Sequence, residues 1–189
     1  TTTAHTNVAI GGETMGGITT ATVQDATVVG YGAFKGSSST TTGANGTTAI
    51  GRQALFSLTS GAANVAVGFQ ALSVCTTGKR NTALGHQTLY AGMDVGDSNT
   101  AVGFSSLYTL NPASDDEGFN TALGSFAGYY ATTGQHNTFL GYATAATGSN
   151  NITTGVGNTY IGSLAQGSAV DVNDEIILKA GVDALAGAG

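Results

Sequence analysis

The five residues Asn81-Thr-Ala-Leu-Gly85 decide the fold of this chain, because close variants of them return at regular intervals along its 189 residues. Nine copies can be read, and neighbouring copies are about 17 residues apart, with insertions of one to four residues. Repeats of this length are typical of solenoids, in which each repeat stacks on its neighbours and none folds alone. The copies end at Gly11, Gly30, Gly51, Gly68, Gly85, Gly103, Gly124, Gly141 and Gly162.

Each copy continues with a second apolar phrase and a turn. Gln70-Ala-Leu72 is an example of the phrase, and Thr76-Thr-Gly78 is a clear form of the turn. Glycine and threonine clusters are typical of turns, since glycine adopts positive φ without steric cost. A helix is disfavoured, because each interior glycine would cost it about 1 kcal/mol. We therefore predict an all-β fold, a repetitive parallel β-solenoid (β-roll) of about nine coils over residues 1–165. A closing strand and C-terminal tail follow over residues 166–189.

The fourth position of the phrase is aliphatic in every copy, and the third is mostly alanine. Side chains alternate between the faces of a strand, so these two positions lie on opposite faces. We expect the aliphatic residues to stack inside the coil and the alanine face to pack against another chain. Phe139 and Tyr160 replace the alanine in the last two copies, which indicates looser packing of that face there. The expected inner ladder consists of Ile50, Val67, Leu84, Val102, Leu123, Leu140 and Ile161.

The asparagine that opens the phrase has a structural interpretation. In a stack of coils its amide can hydrogen-bond to the coils on either side, because an amide both donates and accepts. A regular position in every coil favours this role over ligand binding. The expected asparagine ladder consists of Asn81, Asn99, Asn120, Asn137 and Asn158.

The narrowness of the coil predicts association. A coil of about 17 residues encloses few side chains, and several of those are alanine, valine or threonine. At roughly 25 cal/mol per Å² of buried apolar surface, it gains little against the ~1–2 kcal/mol that ordering each backbone residue costs. Association through a closed symmetry would supply the missing burial and cover exposed strand edges. We therefore predict a homotrimer.

Composition excludes several classes of function. Charged residues make up 8% of the chain and the formal net charge is −6, so there is no basic surface for nucleic acid. No apolar run reaches the ~18 residues needed for membrane insertion. Cys75 is the only cysteine, which excludes an internal disulfide and a cysteine-based zinc site. Most acidic residues lie in insertions or near the ends. We predict no catalytic, cofactor or metal site.

Aromatic residues and insertions are the candidate receptor contacts. One aromatic residue per coil predicts stacked columns, which could stack on carbohydrate, although packing between coils or subunits is the commoner role. The insertion that contains Asp115 and Asp116 is the other candidate, because insertions in solenoids lie on a common face. The slot after the closing glycine holds Tyr31, Phe69, Phe104 and Tyr142, and a second group contains Phe56, Tyr90, Tyr108 and Tyr129.

The phrases Asn-Thr-Ala-Leu-Gly, Gln-Ala-Leu and Thr-Thr-Gly resemble the head repeats of YadA-like trimeric autotransporter adhesins. They resemble still more the related head repeats of bacteriophage tail fibres. The resemblance extends from about Thr6 to Gly162. It implies a left-handed β-roll, three chains in one extracellular fibre, and attachment to a host cell-surface glycan or protein. The expected location is therefore a virion tail fibre or a bacterial cell surface.

Three other functions remain open at this point. A bacterial trimeric surface adhesin is the nearest alternative to a tail fibre. A fibre-borne enzyme that degrades surface polysaccharide would need two carboxylates on rigid elements. Ice binding would want paired threonines, whereas one threonine recurs in each coil. The sequence therefore favours a structural and adhesive role over both catalysis and ice binding.

Overall fold

The computed structural model of the chain describes residues 6–18, 23–36, 41–91, 96–112, 114, 118–146, 153–169 and 171–179. Those residues form ten short strands and no helix. The strands make one parallel sheet whose order follows the chain, so the fold is an all-β parallel solenoid, as the repeat predicts. The strands are β1 (Val8–Ile10), β2 (Thr27–Val29), β3 (Thr48–Ile50), β4 (Val65–Val67), β5 (Thr82–Leu84), β6 (Thr100–Val102), β7 (Thr121–Leu123), β8 (Thr138–Leu140), β9 (Thr159–Ile161) and β10 (Ile176–Leu178).

The strands are the three central residues of each phrase, and they pair in register. Ala83 lies opposite Ala101 and Leu84 lies opposite Val102, so each position of the phrase becomes a column along the solenoid. The insertions between copies leave this register unchanged. The strand β10 pairs with β9 in the same parallel manner, with Ile177 opposite Tyr160. The expected closing strand therefore extends the sheet by one rung.

The inside of the coil is the alanine column, which corrects the expectation drawn from the sequence. Ala49, Ala66, Ala83 and Ala101 are completely buried in the single chain. The fourth-position residues face outward instead, and Leu84 is 46% exposed. The prediction that the aliphatic residues line the inside and that the alanine face meets another chain is thus wrong. The correction applies to Ile50, Val67, Leu84, Val102, Leu123, Leu140 and Ile161, of which Val67 and Val102 are half-buried and the others exposed.

The opposite wall of the coil explains this inversion. The second apolar phrase sends a leucine into the core in four successive coils, and each of these leucines is fully buried. In these four coils the leucine from one wall leaves room for only a methyl group from the strand, because protein interiors are close-packed. The alanine side chain fits into this remaining space, whereas the larger side chain at the fourth position does not. The leucines are Leu55, Leu72, Leu89 and Leu107.

In the last coils the interior is filled by side chains of the strands and not by leucines of the opposite wall. Phe139 and Tyr160 occupy the alanine position and are completely buried, so the expectation of looser packing there is wrong. Their ring centroids lie 6.0 Å apart with nearly parallel planes. The slot that holds leucine in the earlier coils holds Gly128 between β7 and β8 and Ala145 between β8 and β9. A Cβ atom added at Gly128 would lie 2.7 Å from Cδ2 of Phe139 and 2.8 Å from Cδ2 of Leu107, so the glycine makes room for both side chains.

The closing glycine of each phrase sets the distance between coils. At Gly141 the backbone φ is +134°, a value that L side chains rarely adopt. A Cβ atom added there would lie 2.7 Å from the carbonyl carbon and oxygen of Gly162 in the next coil. The glycine column is therefore required both by the turn and by the close approach of successive backbones. The described residues also contain no helix long and apolar enough to cross a membrane.

Candidate functional site

The asparagine ladder is part of the scaffold and leaves no side chain for a ligand. The backbone N–H of Asn137 donates to Oδ1 of Asn120 at 3.0 Å, and Nδ2 of Asn120 donates to the carbonyl of Gly134 at 2.8 Å. The same pair of bonds recurs one coil later, from Asn158 to Asn137 and from Asn137 to Gly155. These asparagines are buried, so both ends of each amide are used between coils. The ladder residues are Asn64, Asn81, Asn99, Asn120, Asn137 and Asn158.

The outward face of the sheet is a continuous apolar surface. We call the column of fourth-position residues, together with Leu178 of the last strand, the apolar stripe. It runs from Ile10, which is 60% exposed, to Leu178, which is 71% exposed. The second position on the same face holds threonine, valine or isoleucine in each strand and no charged residue. Extended apolar surfaces of this kind mark interaction sites.

Two aromatic columns lie on the second half of the coils. The first contains Phe69, His86 and Phe104, with centroid distances of 4.9 and 5.1 Å and nearly parallel rings. The second contains Tyr90, Tyr108 and Tyr129, with centroid distances of 5.2 and 4.9 Å. Burial, with smaller contributions from the two neighbouring tyrosines, raises the pKa of Tyr108. Ring faces in these columns are covered by the rings of adjacent coils.

Tyr31 lies apart from these columns, in a charged cluster near the N-terminal end. Its hydroxyl donates to Glu13 at 2.8 Å, and Lys35 forms an ion pair with the same carboxylate at 2.8 Å. The hydrogen bond from Lys35, followed by that from Tyr31, lowers the pKa of Glu13. The hydrogen bond to Glu13 in turn raises the pKa of Tyr31. The remaining candidate contacts, Asp115 and Asp116, lie outside the described residues.

Tyr142 borders an open cleft of about 300 Å³. Phe126 and Tyr129 stand two and five residues after the closing Gly124, and both carry large rings. The second and fifth positions after the closing glycine of the next coil hold Ala143 and Ala146. Two large rings therefore neighbour two small side chains in successive coils. The cleft is lined by Phe126, Tyr129, Tyr130, Tyr142, Ala143 and Ala146.

Phe126 and Tyr130 are not among the site residues predicted from the sequence. The sequence does carry a signal for this region. The first position after Gly124 holds Ser125, and the aromatic residue, Phe126, stands at the second position instead. Comparing each slot with the same slot one repeat later would have revealed the pair of rings above the pair of alanines. A search for aromatics at one fixed slot could not reveal it.

The described acidic groups away from the N-terminal cluster mostly serve the scaffold. Asp97 accepts hydrogen bonds from Arg80 and from the backbone N–H of Lys79, both at 2.7 Å. Glu175 accepts from the hydroxyl of Tyr160 at 2.8 Å. Asp171 accepts from the backbone N–H of Thr154 at 2.8 Å. No cluster of three or more histidine, cysteine or acidic residues that could hold a metal ion occurs within the described ranges.

Comparisons of the chain with protein-family models, with curated proteins and with solved structures give no match. Three features of the molecule itself bear on its function. These are the apolar stripe, the aromatic columns and the aromatic-lined cleft.

Proposed function

We propose that the chain is a structural and adhesive segment of a homotrimeric extracellular fibre that attaches to a host cell surface. The observation that carries the proposal is the apolar stripe, which exposes an aliphatic side chain on coil after coil of the single chain. Residues in the middle of the stripe, such as Leu84 and Leu123, are nearly half exposed. At roughly 25 cal/mol per Å², burying such a surface would stabilise an assembly strongly.

A threefold arrangement suits the shape of this surface. The apolar stripe follows one line along the sheet. If three solenoids met on a common axis, each stripe would be covered by one neighbouring chain on either side. A single partner would leave one flank exposed. Cyclic closure also prevents the open-ended association that an apolar face otherwise promotes. The subunit contact proposed now is the aliphatic face, in place of the alanine face expected from the sequence.

Attachment to a host surface would use the aromatic side chains that the trimer leaves exposed. Aromatic rings such as Phe104 and Tyr142 stay 46% and 55% exposed on the single chain. Three copies of one contact on a rigid body engage a surface together, which multiplies a weak affinity. A bacteriophage tail fibre is the context that the sequence resembles most, and a bacterial trimeric adhesin would use the same assembly.

Sedimentation equilibrium of the purified protein at micromolar concentration tests the trimer. We expect a mass three times that of the 18.6 kDa chain. Leu84→Asp places three charges beside one another in the proposed contact and should reduce the mass to that of one chain. Val74→Asp is the matched control, because Val74 is 37% exposed but lies in a turn outside the stripe. A folded wild-type monomer would contradict the proposal.

A further inference from the structure

We propose that the cleft lined by Phe126, Tyr129, Tyr130 and Tyr142 is a binding site for one or two sugar units of an uncharged glycan. This inference names the ligand class of the proposed attachment and rests on it. Four aromatic side chains converge on a space of about 300 Å³, at the lower end of ligand-site volumes. A space of that size suits a sugar ring better than a folded protein segment.

The orientation of the rings separates the cleft from the aromatic columns. Phe126 and Tyr142 are nearly perpendicular, at 83°, and Tyr129 and Tyr130 meet at 75°. Tyr129 is also the last ring of the Tyr90 column, so Tyr108 covers one of its faces, whereas Tyr130 and Tyr142 meet their ring neighbours among the described residues only at edge-to-face angles. Tyr130 and Tyr142 are also 44% and 55% exposed. The cleft therefore offers the exposed rings of Tyr130 and Tyr142, whereas the inner rings of the columns offer only their edges.

Those faces and their hydroxyls match the chemistry of a pyranose ring. One face of a sugar carries several C–H groups, which pack against the negative face of an aromatic ring. The hydroxyls around the sugar rim can donate to and accept from phenolic hydroxyls. Tyr130 and Tyr142 supply both groups from the same side chain. Ala143 and Ala146, which also line the cleft, keep it open without adding polar groups.

The charge pattern of this region selects an uncharged ligand. No Asp, Glu, Lys or Arg occurs in the sequence between Glu117 and Asp171, a span that includes every residue lining the cleft. An acidic sugar or a phosphate would lose its hydration without gaining a counter-charge from this span. A neutral hexose or N-acetylhexosamine has no such cost.

Saturation-transfer NMR on the protein as purified tests the inference. The probes are the methyl glycosides of glucose, galactose, mannose and N-acetylglucosamine, with sialic acid and the peptide Gly-Leu-Tyr for comparison. We expect saturation of at least one neutral glycoside and none of sialic acid. Tyr142→Ala should weaken that binding about tenfold or more. Tyr31→Ala is the matched control, because Tyr31 occupies the same slot with 51% exposure and lies outside the cleft.

A second variant closes the cleft without removing a ring. Ala143→Gln restores the residue that Gln53, Gln70 and Gln87 provide at this slot with similar positive φ, so the backbone already suits it. This variant should also abolish saturation while the melting temperature stays that of the wild type. Absence of a signal from every neutral glycoside, saturation of the peptide alone, or binding that survives both Tyr142→Ala and Ala143→Gln would overturn the inference.

Sedimentation of the same samples separates this inference from the proposed assembly. A monomer that binds a glycoside through Tyr142 would contradict the trimer and support the cleft. A trimer that binds no neutral glycoside would support the assembly and overturn the cleft.

Discussion

Two regions of the solenoid fill the same cross-section in opposite ways. In the coils of β3 to β6, which we call the leucine coils, the strand contributes alanine and the opposite wall contributes leucine. In the coils of β8 and β9, the aromatic coils, the strand contributes Phe139 and Tyr160. The corresponding slots of the opposite wall just before and just after β8 hold only Gly128 and Ala145. In these two regions the interior of the coil is therefore filled by a large side chain from one wall or from the other.

The scaffold around that volume is the same in both regions. The glycine column continues from Gly51 to Gly162, and asparagine bonds link Asn64 to Asn158 coil by coil. Coil spacing and register are therefore set by backbone contacts that do not depend on which wall fills the core. The outer surface does depend on which wall fills the core. The cleft lies where the leucine arrangement gives way to the aromatic one.

The largest expected effect comes from the shared glycine column. Gly68→Ala and Gly141→Ala should each cost about 4 kcal/mol or more, because both combine a positive φ with overlap against the backbone of the next coil. Equal losses in the two regions would show that the scaffold is common to them. Unfolding by guanidinium, followed by circular dichroism, measures the cost.

Gly46→Ala is the control for backbone strain alone. Its φ is +64° and a Cβ atom there would have no neighbour within 4 Å. The expected cost is about 1 kcal/mol, the strain of a left-handed alanine. If Gly68→Ala cost no more than Gly46→Ala, the close approach of coils would not be what selects glycine.

A core exchange tests the volume argument directly. Phe139→Ala should cost about 3 kcal/mol by leaving a cavity. Gly128→Leu alone should also destabilise, because its side chain would overlap the ring of Phe139. The double variant places a leucine opposite an alanine, as in the leucine coils, and removes the overlap with Phe139, so that only Leu107 must still shift. Leu55, Leu72 and Leu107 already adopt the required positive φ.

The double variant should therefore be more stable than the sum of the two single changes predicts, by about 1–3 kcal/mol. A double-mutant cycle from the same guanidinium curves gives this coupling. Additive losses would mean that the two walls do not share one volume. Gly128→Leu combined with Leu55→Ala, a leucine in a distant coil, is the additive control.

The smallest effect is a loss of stability in acid at the C-terminal end. Hydrogen bonds from Ser168 and from the Tyr160 hydroxyl lower the pKa of Glu175, and those from Thr153 and Thr154 lower the pKa of Asp171. A carboxyl whose folded pKa is depressed adds stability above its unfolded pKa of about 4, and this is lost as the pH falls through the folded pKa. The asparagine bonds of the leucine coils do not titrate.

Melting curves between pH 7 and pH 2 should therefore show a small decrease in melting temperature below about pH 4. Glu175→Gln, which can still accept the Tyr160 hydroxyl, should reduce that decrease. Glu13→Gln measures the corresponding contribution of the N-terminal cluster. An unchanged acid response in Glu175→Gln would mean that this carboxylate does not stabilise the last coil.

Sequence patterns could predict the strands but not their inward face. The phrase Asn-Thr-Ala-Leu-Gly marks each rung, and alternation correctly separates Ala83 from Leu84. Alternation does not say which of the two is inside, and hydrophobicity favoured the wrong one. The deciding residue is Leu89, on the opposite wall of the coil, whose side chain already fills the interior. The cleft was missed for a similar reason, since it depends on slots in two adjacent coils.

The sequence by itself determined the period, the parallel stacking and the columns of glycine and asparagine, because these follow from local backbone geometry repeated along the chain. Only the tertiary structure decided which side of each strand is buried, and where four aromatic side chains enclose a space. Burial depends on what the opposite wall contributes once the coil closes, and no single strand carries that information.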